Sequence, residues 1–178
     1  MNSQPFLIHN NSALFLDRDG VINKLRVEDY VKQTSEFELL PELIPALKIL
    51  RPLFSRIFIV TNQQGIGKGL MIDSIDKIHD HFLSLLPKEL QPNKIYHCPH
   101  LKEEACVCRK PKPGMALAAK NDYPEILLSH SFMIGDSISD MDFAKNSGMK
   151  PIFISKQDNQ AYQTYTSILH FAQAFIKV

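Results

Sequence analysis

Tryptophan is absent and only three cysteines occur in the 178 residues. Without tryptophan or a stripe of basic and aromatic side chains, a single-stranded nucleic-acid groove has little to be built from. Lys and Arg number 20 against 19 Asp and Glu, a net charge of +1, so no strong field of either sign points to a polyanion or an anionic membrane. No apolar run reaches the roughly 18 residues that span a bilayer, and the start, MNSQPFLIHNNS, shows neither the basic nor the apolar region of a signal peptide. There is no internal repeat, low-complexity tract or Gly/Ser linker. A chain of this length with 44% hydrophobic residues can bury a sizeable core. The expectation is one domain over 1–178, soluble, cytoplasmic and monomeric, without nucleic-acid or membrane partners.

What the sequence does contain is alternation. Short apolar bursts at Ala13–Leu16, Ile57–Val60, Lys94–Tyr96, Phe132–Ile134 and Ile152–Ile154 have the length of buried strands. Between them, Leu40, Leu43, Ile44, Leu47 and Leu50 recur at helical spacing. So do Ile72, Ile75, Ile78, His79, Phe82 and Leu86, with Asp73 or Ser74 as N-cap. Further helices are expected from Lys112 or Pro113 to Lys120, from Asp140 to Asn146 with Gly148 ending it, and over Ile168, Phe171, Ala172 and Phe175. Leu86–Asn93 reads as a loop. The pattern predicts an α/β fold of three layers, a mostly parallel sheet between helices, with ligands at the carboxyl ends of the strands.

Polar residues follow the strands where that rule wants them. Asp17 and Asp19 come directly after the first strand, with Gly20 permitting a tight turn. Two carboxylates so placed can divide labour, one binding a cation and attacking phosphorus, the other moving protons. A calcium loop is excluded, because Val21 and Ile22 stand where such a loop needs an oxygen ligand and a glycine. Asp136 follows the fourth strand in Gly135-Asp136-Ser137-Ile138-Ser139-Asp140 and could either cap the next helix or join the first pair. Convergence of Asp17, Asp19 and Asp136 would suit Mg²⁺, which takes one or two carboxylates plus phosphate and water. After the second strand, Thr61 and Asn62 offer a hydroxyl and an amide for phosphate oxygens. The glycines 65, 67 and 69 fit neither a Walker loop nor a dinucleotide fingerprint and read as plain loop flexibility.

All three cysteines fall in one short run, Cys98-Pro99-His100 and Cys106-Val107-Cys108, which is a poor disulfide framework and a good tetrahedral site for structural Zn²⁺. His97 is an alternative ligand by proximity, but pointing to the opposite side if the strand runs on. The loop would place Arg109 and Lys110; Lys110 can neutralise a phosphoryl group, while Lys112 reads as solvated. His79, His81, His130 and His170 show no partner and read as surface or core-edge residues.

Asp17-x-Asp19, Thr61, Lys110-Pro111 and Gly135-Asp136-x3-Asp140, in this order and strand context, resemble the haloacid dehalogenase superfamily of phosphohydrolases over roughly residues 13 to 154. The zinc cluster resembles the branch whose members hydrolyse D-glycero-D-manno-heptose 1,7-bisphosphate or histidinol phosphate, both without a large cap domain. The resemblance implies a phosphomonoesterase with Asp17 as nucleophile and Asp19 as acid/base. It further implies Thr61 and Lys110 on the phosphoryl group, Arg109 on the substrate, and Mg²⁺ held by Asp17, the backbone carbonyl of Asp19 and Asp136. The five residues between the metal pairs resemble the histidinol-phosphate enzymes. Asp19-Gly20-Val21-Ile22-Asn23 and Arg109-Lys110-Pro111-Lys112-Pro113-Gly114-Met115 look more like the heptose enzymes, although Ser137 stands where those carry a lysine. The heptose bisphosphate is the expected substrate, a small phosphorylated metabolite in either case. The rival of another class is a zinc module that binds phosphate without turnover.

Overall fold

A computed structural model describes residues 7–176, with side chains described through Ala174. The beginning of the segment read for a signal peptide, and the Phe175 side chain, lie outside the described residues. Six strands, β1 (Ala13–Leu16), β2 (Arg56–Asn62), β3 (Lys94–Cys98), β4 (Phe132–Gly135), β5 (Lys150–Ile154) and β6 (Gln163–Tyr165), form one sheet in the order β3-β2-β1-β4-β5-β6. Every neighbouring pair is parallel. The central strands carry near-continuous apolar runs because both faces of a parallel sheet are covered. Leu14, Leu16, Ile57, Ile59, Phe132 and Ile134 face one core, which is closed by α1 (Leu43–Leu50), α3 (Ile75–Ser84) and α6 (Ile168–Ile176). Ala13, Phe15, Phe58, Val60 and Met133 face the other, closed by α4 (Gly114–Asp122) and α5 (Ile138–Asn146), while α2 (Gln64–Gly67) is a single turn after β2. The three-layer α/β/α architecture read from the alternation is therefore the observed one.

Boundaries differ in instructive ways. Strand β6 has no counterpart in the sequence reading, since exposed Gln163 and half-exposed Thr164 and Tyr165 carry no apolar burst. Strand β3 runs on to Cys98, which sends His97 to the face opposite Tyr96 and against His79, ring centroids 5.7 Å apart. α4 starts at Gly114, with Pro113 in the N-cap position. α5 starts at Ile138 rather than Asp140 because Ser137, not Asp136, is its N-cap. Ser74 caps α3 by accepting from the Lys77 amide at 3.2 Å. Leu40, Ile72 and Leu86 fall outside the helices to which their spacing assigned them, and the Leu86–Asn93 loop contains a 3-10 turn at Lys88–Leu90. Two more histidines also have partners: His130 stacks on His9 and bonds Asn11 at 2.9 Å, and His170 bonds Thr166 Oγ1 at 3.1 Å. Gly65 and Gly67 are close-approach positions rather than loose loop, because a Cβ would press on the Tyr30 ring at 2.9 Å and on the Pro99 carbonyl at 2.8 Å. No helix among the described residues is long and apolar enough to cross a membrane.

The sheet order reverses direction at β1: β2 and β3 lie to one side, β4 to β6 to the other. At that switch point the loops after β1 and β4 diverge and open a crevice at the carboxyl edge. Asp17 and Asp136 are the first residues past those two strands.

Candidate active site

The crevice holds a cavity of about 170 Å³ lined by Asp17, Asp19, Thr61, Asn62, Lys110, Asp136, Asp140 and their neighbours. Asp17, Asp136 and Asp140 each offer a carboxylate oxygen within 4.8 Å of the others. Lys110, 4% exposed, reaches this group from the loop after β3. Its ammonium lies 2.5 Å from Asp17 Oδ1 and 2.6 Å from Asp140 Oδ1, and donates to the Val60 carbonyl at 2.8 Å. Burial lifts the Asp17 carboxyl well above the ordinary range, with Lys110 pulling it down and Asp140 and Asp19 pushing it further up. Asp136 is raised to about 6, by burial first and then by Asp140. Lys110 is raised too, but for a cation that means staying charged: burial opposes its charge, and Asp140 and Asp17 outweigh burial. Crowded carboxylates that resist ionisation, with one buried cation among them, suit a divalent metal.

Two close approaches make this packing possible. A side chain at Gly20, whose φ is +88°, would run into the Asp136 carboxylate, and one at Gly135 would run into Asp140. Asp140 in turn closes a capping box with Ser137, its Oδ2 accepting from Ser137 N at 3.1 Å and Oγ at 2.6 Å. Gly135→Ala therefore displaces Asp140 and, through it, Lys110. The expected outcome is a loss of about 2 kcal/mol or more in urea unfolding, together with most of any activity the site has.

Asp19 is set apart from this group. Its Oδ1 accepts from Asn23 Nδ2 at 2.9 Å and Arg18 Nη2 at 3.1 Å, and its Oδ2 from Arg18 Nε at 3.2 Å and Gln63 Nε2 at 2.9 Å. Burial opposes its charge, but the Arg18 guanidinium and these donors outweigh burial and hold the carboxyl below the usual range. These contacts favour the ionised form of Asp19 in the free protein, the form in which an acid/base residue accepts a proton.

Asn62, expected to touch substrate, has its amide occupied: Nδ2 donates to the Lys110 carbonyl at 3.1 Å and Oδ1 accepts from the Lys110 amide at 3.0 Å. It clamps the loop that carries the lysine. Thr61, 1% exposed, lines the cavity and accepts from Gln63 Nε2 at 2.8 Å. Arg109 lines a second, larger cavity of about 540 Å³ with Lys102, Lys112, Cys106 and Ala105, and its Nη1 donates to the His100 carbonyl at 3.5 Å. Lys112, read as solvated, donates to the Ala105 carbonyl. The two cavities share Asn62, Lys110 and Ser139, so an acidic crevice opens directly into a basic one.

Cys98, His100, Cys106 and Cys108 converge at the edge of that basic cavity. The sulfurs lie 3.4, 3.1 and 3.4 Å apart, and His100 Nδ1 lies 3.6 Å from Cys98 and 3.2 Å from Cys108. No pair is bonded as a disulfide, and His97 is on the far face of β3. The loop is tied to β2 at both ends, by Gln63 N to the Cys98 carbonyl at 2.7 Å and by the Asn62 clamp on Lys110.

Arg18, Asn23 and Gln63 were not singled out from the sequence. An Arg set between two Asp residues in the chain and a Gln directly after Thr61-Asn62 were the available signals.

An all-parallel sheet with a carboxylate cluster at its switch point defines a Rossmann-like hydrolase, and residues 107–168 match the HAD-hydrolase-like family. The chain belongs to the haloacid-dehalogenase-like hydrolases. It is 43% identical over 137 residues to a D-glycero-α-D-manno-heptose-1,7-bisphosphate 7-phosphatase of Mycobacterium tuberculosis, covering 75% of this chain and 72% of that protein. It is 41% identical over 147 residues to a D-glycero-β-D-manno-heptose-1,7-bisphosphate 7-phosphatase of Helicobacter pylori, covering 81% and 83%. Among solved structures, the D,D-heptose 1,7-bisphosphate phosphatase of B. bronchiseptica, complexed with magnesium and phosphate, superposes with a TM-score of 0.82 at 26% identity, over 93% of this chain and 98% of that one.

Proposed function

We propose that this protein is a Mg²⁺-dependent phosphomonoesterase that removes the 7-phosphate from D-glycero-D-manno-heptose 1,7-bisphosphate, working as a single-domain cytoplasmic monomer with a structural Zn²⁺. The observation that carries it is the junction of the two cavities, one acidic and built for phosphoryl transfer, the other bearing Lys102, Arg109 and Lys112 for a second anionic group. The relatives' shared name supports the sugar. Ser137 is neutral and supplies no cation; Lys102 and Lys112, which line the basic cavity, would take that place.

Asp17, the Asp19 carbonyl and Asp136 would hold Mg²⁺, with Asp140 beside them keeping Lys110 in position. Bound there, the metal neutralises charge on the phosphoryl oxygens. Asp17 Oδ attacks phosphorus, the bond to the sugar oxygen breaks, and an aspartyl phosphate forms on Asp17. Lys110 and the Thr61 hydroxyl offset the charge on the transferring group. Asp19 gives the leaving oxygen its proton; the dianion of a bound phosphate raises its proton affinity above that in the free protein. As a carboxylate again, it takes a proton from the water that hydrolyses the aspartyl phosphate.

The test is kcat/KM with Mg²⁺ for the heptose bisphosphate, histidinol phosphate and a panel of sugar monophosphates. The heptose bisphosphate should lead, leaving heptose 1-phosphate; a lead for histidinol phosphate overturns the assignment, and no turnover of any ester overturns the enzyme.

Metal binding should depend steeply on pH. Below about pH 6 Asp136 is protonated, and Asp17 titrates higher still. A cation must displace those protons, so its affinity rises with pH. The same raised carboxyls make the metal-free fold more stable at low pH, a contribution lost as pH climbs through their folded-state values. Calorimetric titration should find Mg²⁺ bound about tenfold or more weakly at pH 5.5 than at pH 7.5, and the Mg²⁺-induced rise in Tm should grow over the same interval. A pH-independent affinity would remove these carboxylates from the metal site.

A further inference from the structure

Arg18 is among the largest fully buried side chains of the described residues, 1% exposed, and it stands in the chain between two proposed catalytic carboxylates without lining the cavity. A buried guanidinium needs a reason. Its Nη2 donates to Gln63 Oε1 at 3.0 Å while its Nε and Nη2 fork onto Asp19. Arg has donors only, so the Gln63 carbonyl oxygen must face it and the amide cannot be flipped. The two hydrogens of Gln63 Nε2 then point at the two acceptors within reach, Asp19 Oδ2 at 2.9 Å and Thr61 Oγ1 at 2.8 Å. Because Thr61 Oγ1 accepts from Gln63, its own proton is turned elsewhere, and the cavity it lines is the open side. Gln63 is itself 1% exposed, so water does not compete for these bonds.

We propose that Arg18 and Gln63 are positioning residues for the reaction: Arg18 fixes the orientation of the Gln63 amide, and Gln63 holds the Asp19 carboxylate and the Thr61 hydroxyl in one register across the strand ends of β1 and β2. Neither touches the substrate. The relay explains why a full charge is buried behind the acid/base residue, and why Gln63 follows Thr61-Asn62 at a two-residue interval from Thr61.

This inference rests on the phosphatase reading and is separable from it. The ratio kcat/KM covers steps only up to departure of the leaving group. A p-nitrophenolate leaves without a proton, whereas a sugar alkoxide needs one, so misplacing Asp19 must harm the sugar ester selectively. Gln63→Met keeps the side chain's length and removes both donors. The double variant Arg18→Met with Gln63→Met removes both positioning residues and leaves no unpaired guanidinium, while Asn23 still donates to Asp19, guarding against loss of the fold. With saturating Mg²⁺, kcat/KM for heptose 1,7-bisphosphate should fall about 100-fold in each variant, within the range for general acid catalysis. For p-nitrophenyl phosphate it should fall less than about tenfold, the share carried by Thr61. Equal losses on both esters, or none on either, overturn the positioning role while leaving the phosphatase reading intact. A wild-type enzyme that hydrolyses neither ester overturns both.

Discussion

Asp17→Asn is expected to lower kcat by about 10⁴-fold or more, the scale seen when a covalent nucleophile is removed, while the protein stays folded. The fold should survive because Lys110 keeps Asp140 at 2.6 Å and the Val60 carbonyl at 2.8 Å when the Asp17 charge is gone. Asp17 is also a carboxylate that burial makes reluctant to ionise, so replacing it by a neutral amide relieves the metal-free protein at neutral pH. The sign follows from the raised value: the penalty builds as pH climbs from the ordinary carboxylate range toward about 8, so at neutral pH the wild-type fold already carries a large part of it and the variant carries none. A melting temperature equal to or above wild type without Mg²⁺, together with absent phosphate release, is the combined result to look for. Mass spectrometry of the acid-quenched wild type during turnover should add one phosphoryl group at residue 17, and none in the variant. Substantial turnover by the variant would leave the covalent route without support and favour direct attack by water. A variant that binds phosphate as before, beside a wild type that never turns over any ester, would favour the non-catalytic module.

How much of this could be read beforehand depended on whether a residue's role was local or shared. The strand-then-acid pattern at Asp17 and Asp136 was legible because parallel strands present their carboxyl ends to one edge, so sequence position after a strand translates into place. The convergence of Cys98, His100, Cys106 and Cys108 was legible because paired spacing, Cys98-x-His100 and Cys106-x-Cys108, is itself a local geometry. Asn62 was harder. Its position promised a free amide in the crevice, and only tertiary contact shows that amide bound to the backbone of Lys110, 48 residues on. Arg18 was hidden for a similar reason: a charged side chain in a sequence reads as solvated, and the partners that justify its burial include Gln63, 45 residues away. Strand β6 was missed because an edge strand with half-exposed Thr164 and Tyr165 lacks the apolar run that marks a central one. The tight fit of Gly65 against Tyr30 also depends on a distant segment, so flexibility was the natural reading there.

Cys106→Ser tests the metal loop, and its expected effect on the order of that loop is the largest of any substitution considered. The loop from Leu101 to Val107 buries almost nothing: its residues are half-buried or exposed, and Val107 is 76% exposed. Hydrophobic packing therefore cannot hold it, and the four soft ligands converging within 4.8 Å provide the alternative. For such sites metal binding energy is folding energy, on the order of 10 kcal/mol for a complete tetrahedral set at neutral pH. Losing one ligand of four should release most of the Zn²⁺ on gel filtration, measured by inductively coupled plasma spectrometry as a fall from about one ion per chain. The loop carries Arg109 and Lys110 at its end, and Lys110 reaches Asp17, so its disorder should reach the reacting centre as well as the basic cavity. Activity should fall with zinc content, and chelation of the wild type should reproduce the loss. The tie of Asn62 to the Lys110 backbone sets a limit to the damage, because β2 and the sheet core do not depend on the loop. Far-ultraviolet circular dichroism should change little while kcat/KM for the bisphosphate collapses. Full activity in a zinc-free variant would show that Lys110 is placed by β2 alone and that the metal has another purpose.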